Sequence, residues 1–160
     1  MGKEVKTNAI RILDKEKVNY TINTYECDEF IDAKHVADML SQPYESSYKT
    51  LVAKGKSGDY FVFLVPIVEE LDMKKAAKSV LEKSVELIAV KDINKVTGYI
   101  RGGCTPIGMK KKYKTVIDSS AQNFDTIIIS GGRIGTQIFI SPRDLSALVD
   151  AEFYDIIKEV

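Results

Sequence analysis

Two β-rich runs, Tyr48–Lys54 (YKTLVAK) and Tyr60–Pro66 (YFVFLVP), flank the short segment Gly55-Lys56-Ser57-Gly58-Asp59. No other part of the chain restricts the fold as much. β-Branched and aromatic residues suit extended backbone, and a glycine-containing turn between two such runs joins them as a hairpin. A hairpin makes antiparallel neighbours, which argues against a purely parallel sheet. Helical patterns before and after it leave an α+β fold, or an α/β fold with a mixed sheet.

The remaining elements follow from periodicity and caps. Lys6 to Lys17 carries Ala9, Ile10, Ile12 and Leu13 as an apolar stripe and predicts a helix. Tyr20 to Glu26 (YTINTYE) predicts a strand. Asp32 is placed to cap a short helix carrying Val36, Ala37 and Leu40, closed before Pro43. Asp72 caps a further helix through Leu81. Val85 to Val90 predicts a buried strand, and Asp92 to Val96 a short helical turn. Strands are expected at Thr115–Ile117, Thr126–Ser130 and Gln137–Ile140, the last two joined by Gly131-Gly132-Arg133-Ile134-Gly135. Ser141 and Pro142 serve as N-cap and first-turn proline of a final helix through Val149. The sum is about seven strands and four or five helices, with no repeat, low-complexity tract or linker. A single domain over residues 1–160 is expected.

Composition excludes several classes. The 44% hydrophobic and 29% charged fractions are those of an ordinary soluble globular protein. No apolar run approaches the ~20 residues that a membrane helix needs. Met1 to Asn8 is polar, unlike a signal peptide, so a cytoplasmic protein is expected. With His35 as the single histidine and Cys27 and Cys104 far apart, neither a zinc site nor a histidine-based triad is expected. No metal and no cofactor is called for.

Gly102-Gly103-Cys104-Thr105-Pro106-Ile107-Gly108-Met109-Lys110-Lys111-Lys112 is the segment richest in chemical meaning. Its glycines and proline forbid regular helix, and bare backbone amides in such a loop can donate to an oxyanion or a phosphate. From Arg101 to Lys114 there are five basic residues and no acidic one, although the net charge of the chain is zero. Lys74, Lys75 and Lys78 form a second basic cluster on a predicted helix. A local patch of this kind can dock a phosphate backbone. It is equally compatible with a solvated basic turn.

Read together, Tyr25 in YTINTYE, Lys49 in YKTLV, LDMKKAAKSV at 71–80, TGYIRGGCTPIGMKK at 97–111, TVIDSSA at 115–121 and ISGGRIG at 129–135 resemble the YbaK/EbsC family. These are free-standing relatives of the bacterial prolyl-tRNA synthetase editing domain, and the resemblance runs in order over residues 7–157. It implies a mixed, curved β-sheet surrounded by helices, with the pocket between the sheet and the glycine loop. It also implies a trans-editing aminoacyl-tRNA deacylase acting on mischarged Cys-tRNA(Pro), and on Cys-tRNA(Cys), with prolyl-tRNA synthetase as a partner. Neither the tolerated tRNAs nor the oligomeric state follow from it.

By resemblance, Lys49 matches the family's essential lysine, whose charge would hold the terminal adenosine's phosphate and orient the ester. An edge-strand lysine that blocks aggregation is the other reading. Gly102, Gly103 and Gly108 match the glycine loop, with Gly103 expected to take part in catalysis through its backbone. Tyr25 matches a pocket tyrosine, and Asp118 a position that binds ribose or the substrate amine, or else caps the following turn. Ser130, Gly131 and Gly132 match a second glycine turn. Thr105 stands where many relatives carry serine, and Cys104 where branches vary; both are expected at the substrate. Cys104 is not expected to be a nucleophile, since no base accompanies it.

The mechanism implied by the resemblance uses the substrate's own cysteine thiol as nucleophile, with loop amides stabilising the oxyanion. Two other readings stay open from the residues: a deacylase that clears alanine or serine with an activated water, and a non-catalytic module that binds tRNA ends or nucleotides.

Overall fold

The computed structural model describes residues 6–27 and 29–159. Most of the polar N-terminal stretch, Met1 to Val5, lies outside the described residues. Strand β3 (Tyr60–Pro66) explains the architecture best. Val62 and Leu64 point into one apolar cluster, and Phe61, Phe63 and Val65 into another. Side chains alternate along a strand, so a run that is apolar at every position belongs between two layers.

The hairpin forms as expected: β2 (Tyr48–Gly55) pairs antiparallel with β3, with Lys49 opposite Val65. Around it stands a five-stranded mixed sheet in the order β4-β2-β3-β5-β8, where β4 is Val85–Leu87, β5 is Lys114–Asp118 and β8 is Glu152–Tyr154. β5 and β8 join in parallel. A second, three-stranded antiparallel sheet has the order β1-β7-β6, from β1 (Tyr20–Thr24), β6 (Ile127–Ser130) and β7 (Thr136–Ile140). The single curved sheet of the sequence reading is therefore two sheets. They meet at the Ser47–Ile128 bridge, where the Ile128 amide donates to the Ser46 carbonyl at 2.9 Å.

Helices cover both layers. α1 (Asn8–Lys15), capped by Thr7, buries Ala9, Ile10 and Leu13 against the isoleucines of β6 and β7. α2 (Ala33–Met39) starts at Asp32, whose carboxylate accepts the His35 amide. α3 (Met73–Ser79) starts at Asp72, whose carboxylate accepts two amides, and packs Ala76 and Ala77 on the outer face of the large sheet. α4 (Ile93–Thr97) ends at Gly98, and α5 (Pro142–Val149) begins at Ser141 as its N-cap predicts.

The strands differ most from the sequence reading in three places. β1 stops at Thr24 and not Glu26. β4 keeps only three residues of the expected run to Val90, with Glu86 and Leu87 exposed; residues 90–92 make a 3-10 turn. β8 was not expected, because a three-residue strand carries no periodicity to read.

Candidate active site

A cavity of about 300 Å³ opens where the two sheets meet. β2 contributes Tyr48 to Leu51, and the chain before and along α2 contributes Phe30 to Ala33, Val36 and Ala37. β6 and β7 supply Ser130, Thr136 and Gln137, and the glycine loop supplies Arg101, Gly102 and Cys104. Segments that lie far apart in sequence meet here because β2 carries the hairpin on one side and touches β6 through Ser47 on the other.

Lys49 is half-buried on this wall, and its ammonium makes no hydrogen bond or ion pair among the described residues. Burial strips water from its ammonium and lowers its pKa. Glu70 and Glu69 pull the other way and are outweighed, and Glu70 is itself bound to Lys158 at 2.9 Å. A lysine left unpaired and partly dehydrated in a cavity is a ready receptor for substrate charge. Thr50, next to it, has a buried hydroxyl without a hydrogen-bond partner. Tyr25 also lines the cavity, and burial raises its phenol's pKa.

The glycine loop divides its residues between the cavity and the protein interior. Gly102, at φ +86°, and Cys104 line the cavity. Among the described residues, the amide of neither donates a hydrogen bond. Gly103 does not line it: its amide donates to the Ile100 carbonyl at 2.9 Å, and its Cα is wedged against Arg133, where a Cβ would stand 2.8 Å from the Arg133 Cα. The Gly103 amide, expected to face the substrate, is engaged within the loop in this structure. The residue's missing side chain lets the loop seat on the β6–β7 turn. Cys104 is buried, with its Sγ 4.0 Å from the Thr97 hydroxyl, and burial pushes its thiol up to about 11. A thiol that stays protonated is a poor nucleophile. His35 lies on the surface of α2 against Asp32, so the two do not form a Cys–His pair.

Five further residues expected at the site lie away from the cavity. Asp118 is buried at the end of β5, where one carboxylate oxygen accepts the Ile156 amide at 3.1 Å and the other the Ser120 amide at 3.1 Å. It caps a 3-10 turn and ties down the chain after β8; it does not line the cavity. Thr105 is fully buried behind the loop with its hydroxyl unpartnered. Gly108 belongs to a different cavity of about 290 Å³, beside Met109, Lys111 and Lys112. Gly131 and Gly132 shape the turn after β6. The Gly131 amide donates to Thr136, its carbonyl accepts the Thr7 hydroxyl, and a Cβ on Gly132 would press on Thr7 and Tyr99. Of this second turn, only Ser130 reaches the cavity.

Sequence reasoning missed other wall residues. Gln42 and Gln137 exchange a reciprocal pair of amide hydrogen bonds at 2.8 and 2.9 Å, and Asn23 adds a third at 3.1 Å. This network pins the chain after α2 to β7 and holds that wall closed. Phe30 and Arg101 stand together, with the Arg101 guanidinium 3.9 Å from the Phe30 ring centroid. The basic run gave some sign of Arg101. Nothing local marked Phe30 or the two glutamines.

A mixed two-sheet fold with a lysine-bearing cavity walled by a glycine loop defines a domain with a candidate small-ligand site between its sheets. The chain belongs to the aminoacyl-tRNA editing domain family, whose pattern it matches over residues 29–148. It is 40% identical over 154 residues to an Enterococcus faecalis (strain ATCC 700802 / V583) protein provisionally named Cys-tRNA(Pro)/Cys-tRNA(Cys) deacylase EbsC, covering 94% of this chain and 93% of that one. It is 32% identical over 99 residues to a proline–tRNA ligase of Fervidobacterium nodosum (strain ATCC 35602 / DSM 5306 / Rt17-B1), covering 62% of this chain and 17% of the ligase. A crystal structure described as a candidate trans-editing enzyme for prolyl tRNA synthetase has the same fold. The TM-score is 0.81 at 21% identity, covering 98% of this chain and all of the other. Among the described residues, no helix is long and apolar enough to cross a membrane.

Proposed function

We propose that this protein is an aminoacyl-tRNA deacylase that acts in trans and clears cysteine from tRNA(Pro) and tRNA(Cys). The observation that carries this reading is Lys49: an unpaired, half-buried ammonium in a cavity of about 300 Å³. The cavity is bounded by the sheet and the glycine loop, the place where the resemblance puts the editing pocket. Its size suits one amino acid and the sugar that bears it, and excludes a folded nucleic acid.

An aminoacyl ester is already activated, so the site needs orientation and charge stabilisation more than a strong base. The substrate's thiol attacks the ester carbonyl, a carbon–sulfur bond forms, and the carbon–oxygen bond to the ribose breaks. The thiol proton goes to the departing ribose oxygen, and the products are a cyclic thiolactone and free tRNA. Lys49 faces the charge that develops on the ester. The unengaged amides of Gly102 and Cys104 are the loop donors left for the oxyanion, a contribution of roughly 3 kcal/mol for one such donor. Holding thiol and carbonyl in contact supplies the rest by proximity. Prolyl-tRNA synthetase is the expected partner, since the chain is 32% identical over 99 residues to a proline–tRNA ligase.

The test is release of amino acid from Cys-tRNA(Pro), Ala-tRNA(Pro) and Ser-tRNA(Pro) by wild type and Lys49→Ala. Loss of cysteine alone, abolished in the variant, supports the substrate-thiol mechanism. Loss of alanine or serine keeps the deacylase and moves its specificity to a water-dependent reaction. Binding of tRNA with no turnover of any ester would leave a binding module and end the enzyme reading.

A further inference from the structure

We infer that Arg101 is the receptor for the phosphate joining the last two nucleotides of the substrate, held ready at the cavity mouth by the ring of Phe30. This rests on the deacylase reading and divides between two residues a task that the sequence had given to Lys49 alone.

The placement of charge is the first argument. Lys49 is half-buried in the wall, whereas Arg101 is exposed at the rim beside Gly102. An ammonium engaged with the ester cannot also follow the phosphate on the other side of the ribose. That phosphate remains nearer to solvent, where Arg101 stands.

Pre-organisation is the second. The guanidinium lies 3.9 Å from the Phe30 ring centroid, within cation–π range. Phe30 is in turn seated against Gly102, where a Cβ would stand 2.9 Å from its Cδ1. Gly102, at φ +86°, thus lets loop, ring and guanidinium stack in register. A long side chain ordinarily loses rotamer freedom on binding; one already parked on a ring loses less.

Unused valence is the third. Among the described residues, Arg101 has no ion pair and donates no hydrogen bond. The ring occupies the face of the guanidinium and leaves its N–H edge free, the edge that meets phosphate oxygens in a fork. By contrast, Lys75, Lys112 and Lys158 are all engaged with carboxylates.

The experiment measures steady-state deacylation of Cys-tRNA(Pro) by wild type, Arg101→Ala, Arg101→Lys and Lys56→Ala over a salt series. Lys56 sits in the turn at the far end of β2 and controls for loss of charge alone. Arg101→Ala is expected to raise KM about tenfold or more with kcat within about threefold. It should also flatten the slope of log KM against log salt by about 0.7, the share of one single-strand phosphate. Arg101→Lys should recover part of the affinity, and Lys56→Ala should match wild type. Inhibition by the dinucleotide CpA, compared with adenosine, isolates the phosphate. The advantage of CpA in wild type should disappear in Arg101→Ala.

An unchanged KM and salt slope in Arg101→Ala, in a wild type that turns over, would overturn this inference and leave the deacylase reading intact. So would a fall in kcat alone. A wild type that hydrolyses no ester defeats the deacylase reading instead. In that case CpA binding, measured directly, still decides whether Arg101 holds the phosphate.

Discussion

Gly103→Ala tests how the glycine loop is built. The new Cβ would lie 2.8 Å from the Arg133 Cα and 3.1 Å from its nitrogen and carbonyl carbon, all backbone atoms that cannot rotate away. The closest contact falls roughly 0.6 Å short of ordinary separation at 3.4 Å, so the loop or the β6–β7 turn has to move. Overpacking of this kind costs about 1–3 kcal/mol. In a chain of this length, about 2 kcal/mol lowers Tm by roughly 4–8 °C.

The displacement also reaches the cavity, since Gly102 and Cys104 on one side of the contact and Ser130 on the other are wall residues. Reacting groups misplaced by a fraction of an ångström lose about tenfold to a hundredfold in rate. Urea unfolding gives the stability change if the m-value stays constant, and Cys-tRNA(Pro) deacylation gives the rate. Gly58→Ala is the comparison. Gly58 has φ +97° and nothing within 4 Å of its added Cβ, so it carries backbone strain of about 1–2 kcal/mol without any push on the site. Similar stability costs with the rate lost only in Gly103→Ala is the expected result. A Gly103→Ala protein with wild-type stability and rate would refute the wedge.

Three other outcomes follow from the structure. Burial lowers the pKa of Lys49 below the ordinary lysine value. Between the two values the unfolded chain binds more protons, so this group makes the fold more stable as pH rises across that window. Deacylation that needs the ammonium falls across the same window, and a pH–rate profile with the spontaneous rate subtracted should show an alkaline limb that is absent in Lys49→Met. Cys104→Ala should keep the rate within about threefold, and iodoacetamide at pH 8 should spare activity, because the thiol is pushed up to about 11 and stays protonated. Asp118→Ala leaves the Ile156 and Ser120 amides without their acceptor. It should cost about 2–3 kcal/mol in urea unfolding with KM for Cys-tRNA(Pro) unchanged, whereas a role in substrate binding would raise KM.

Local spacing determined what local physics controls. The Gly55–Asp59 turn had to fold the two strands back on each other. Asp32, Asp72 and Ser141 had to cap their helices, since each carboxylate or hydroxyl finds amides two or three residues ahead. Lys49 stands out because a charge in a strand otherwise made of Tyr, Thr, Leu and Val needs a reason, and the order of the motifs carries the family.

Tertiary structure decided the rest, because the partners are remote in sequence. Gln42 meets Gln137 across 95 positions, Asp118 meets Ile156 across 38, and Gly103 is fixed by the backbone of Arg133. Glycine, aspartate and glutamine look the same in a sequence whether they face a ligand or a neighbouring strand. Which of them face the cavity depends on how the two sheets close on each other. That closure seats Gly103 against Arg133, ties Asp118 to the Ile156 amide, and brings Phe30 and Arg101 to the cavity.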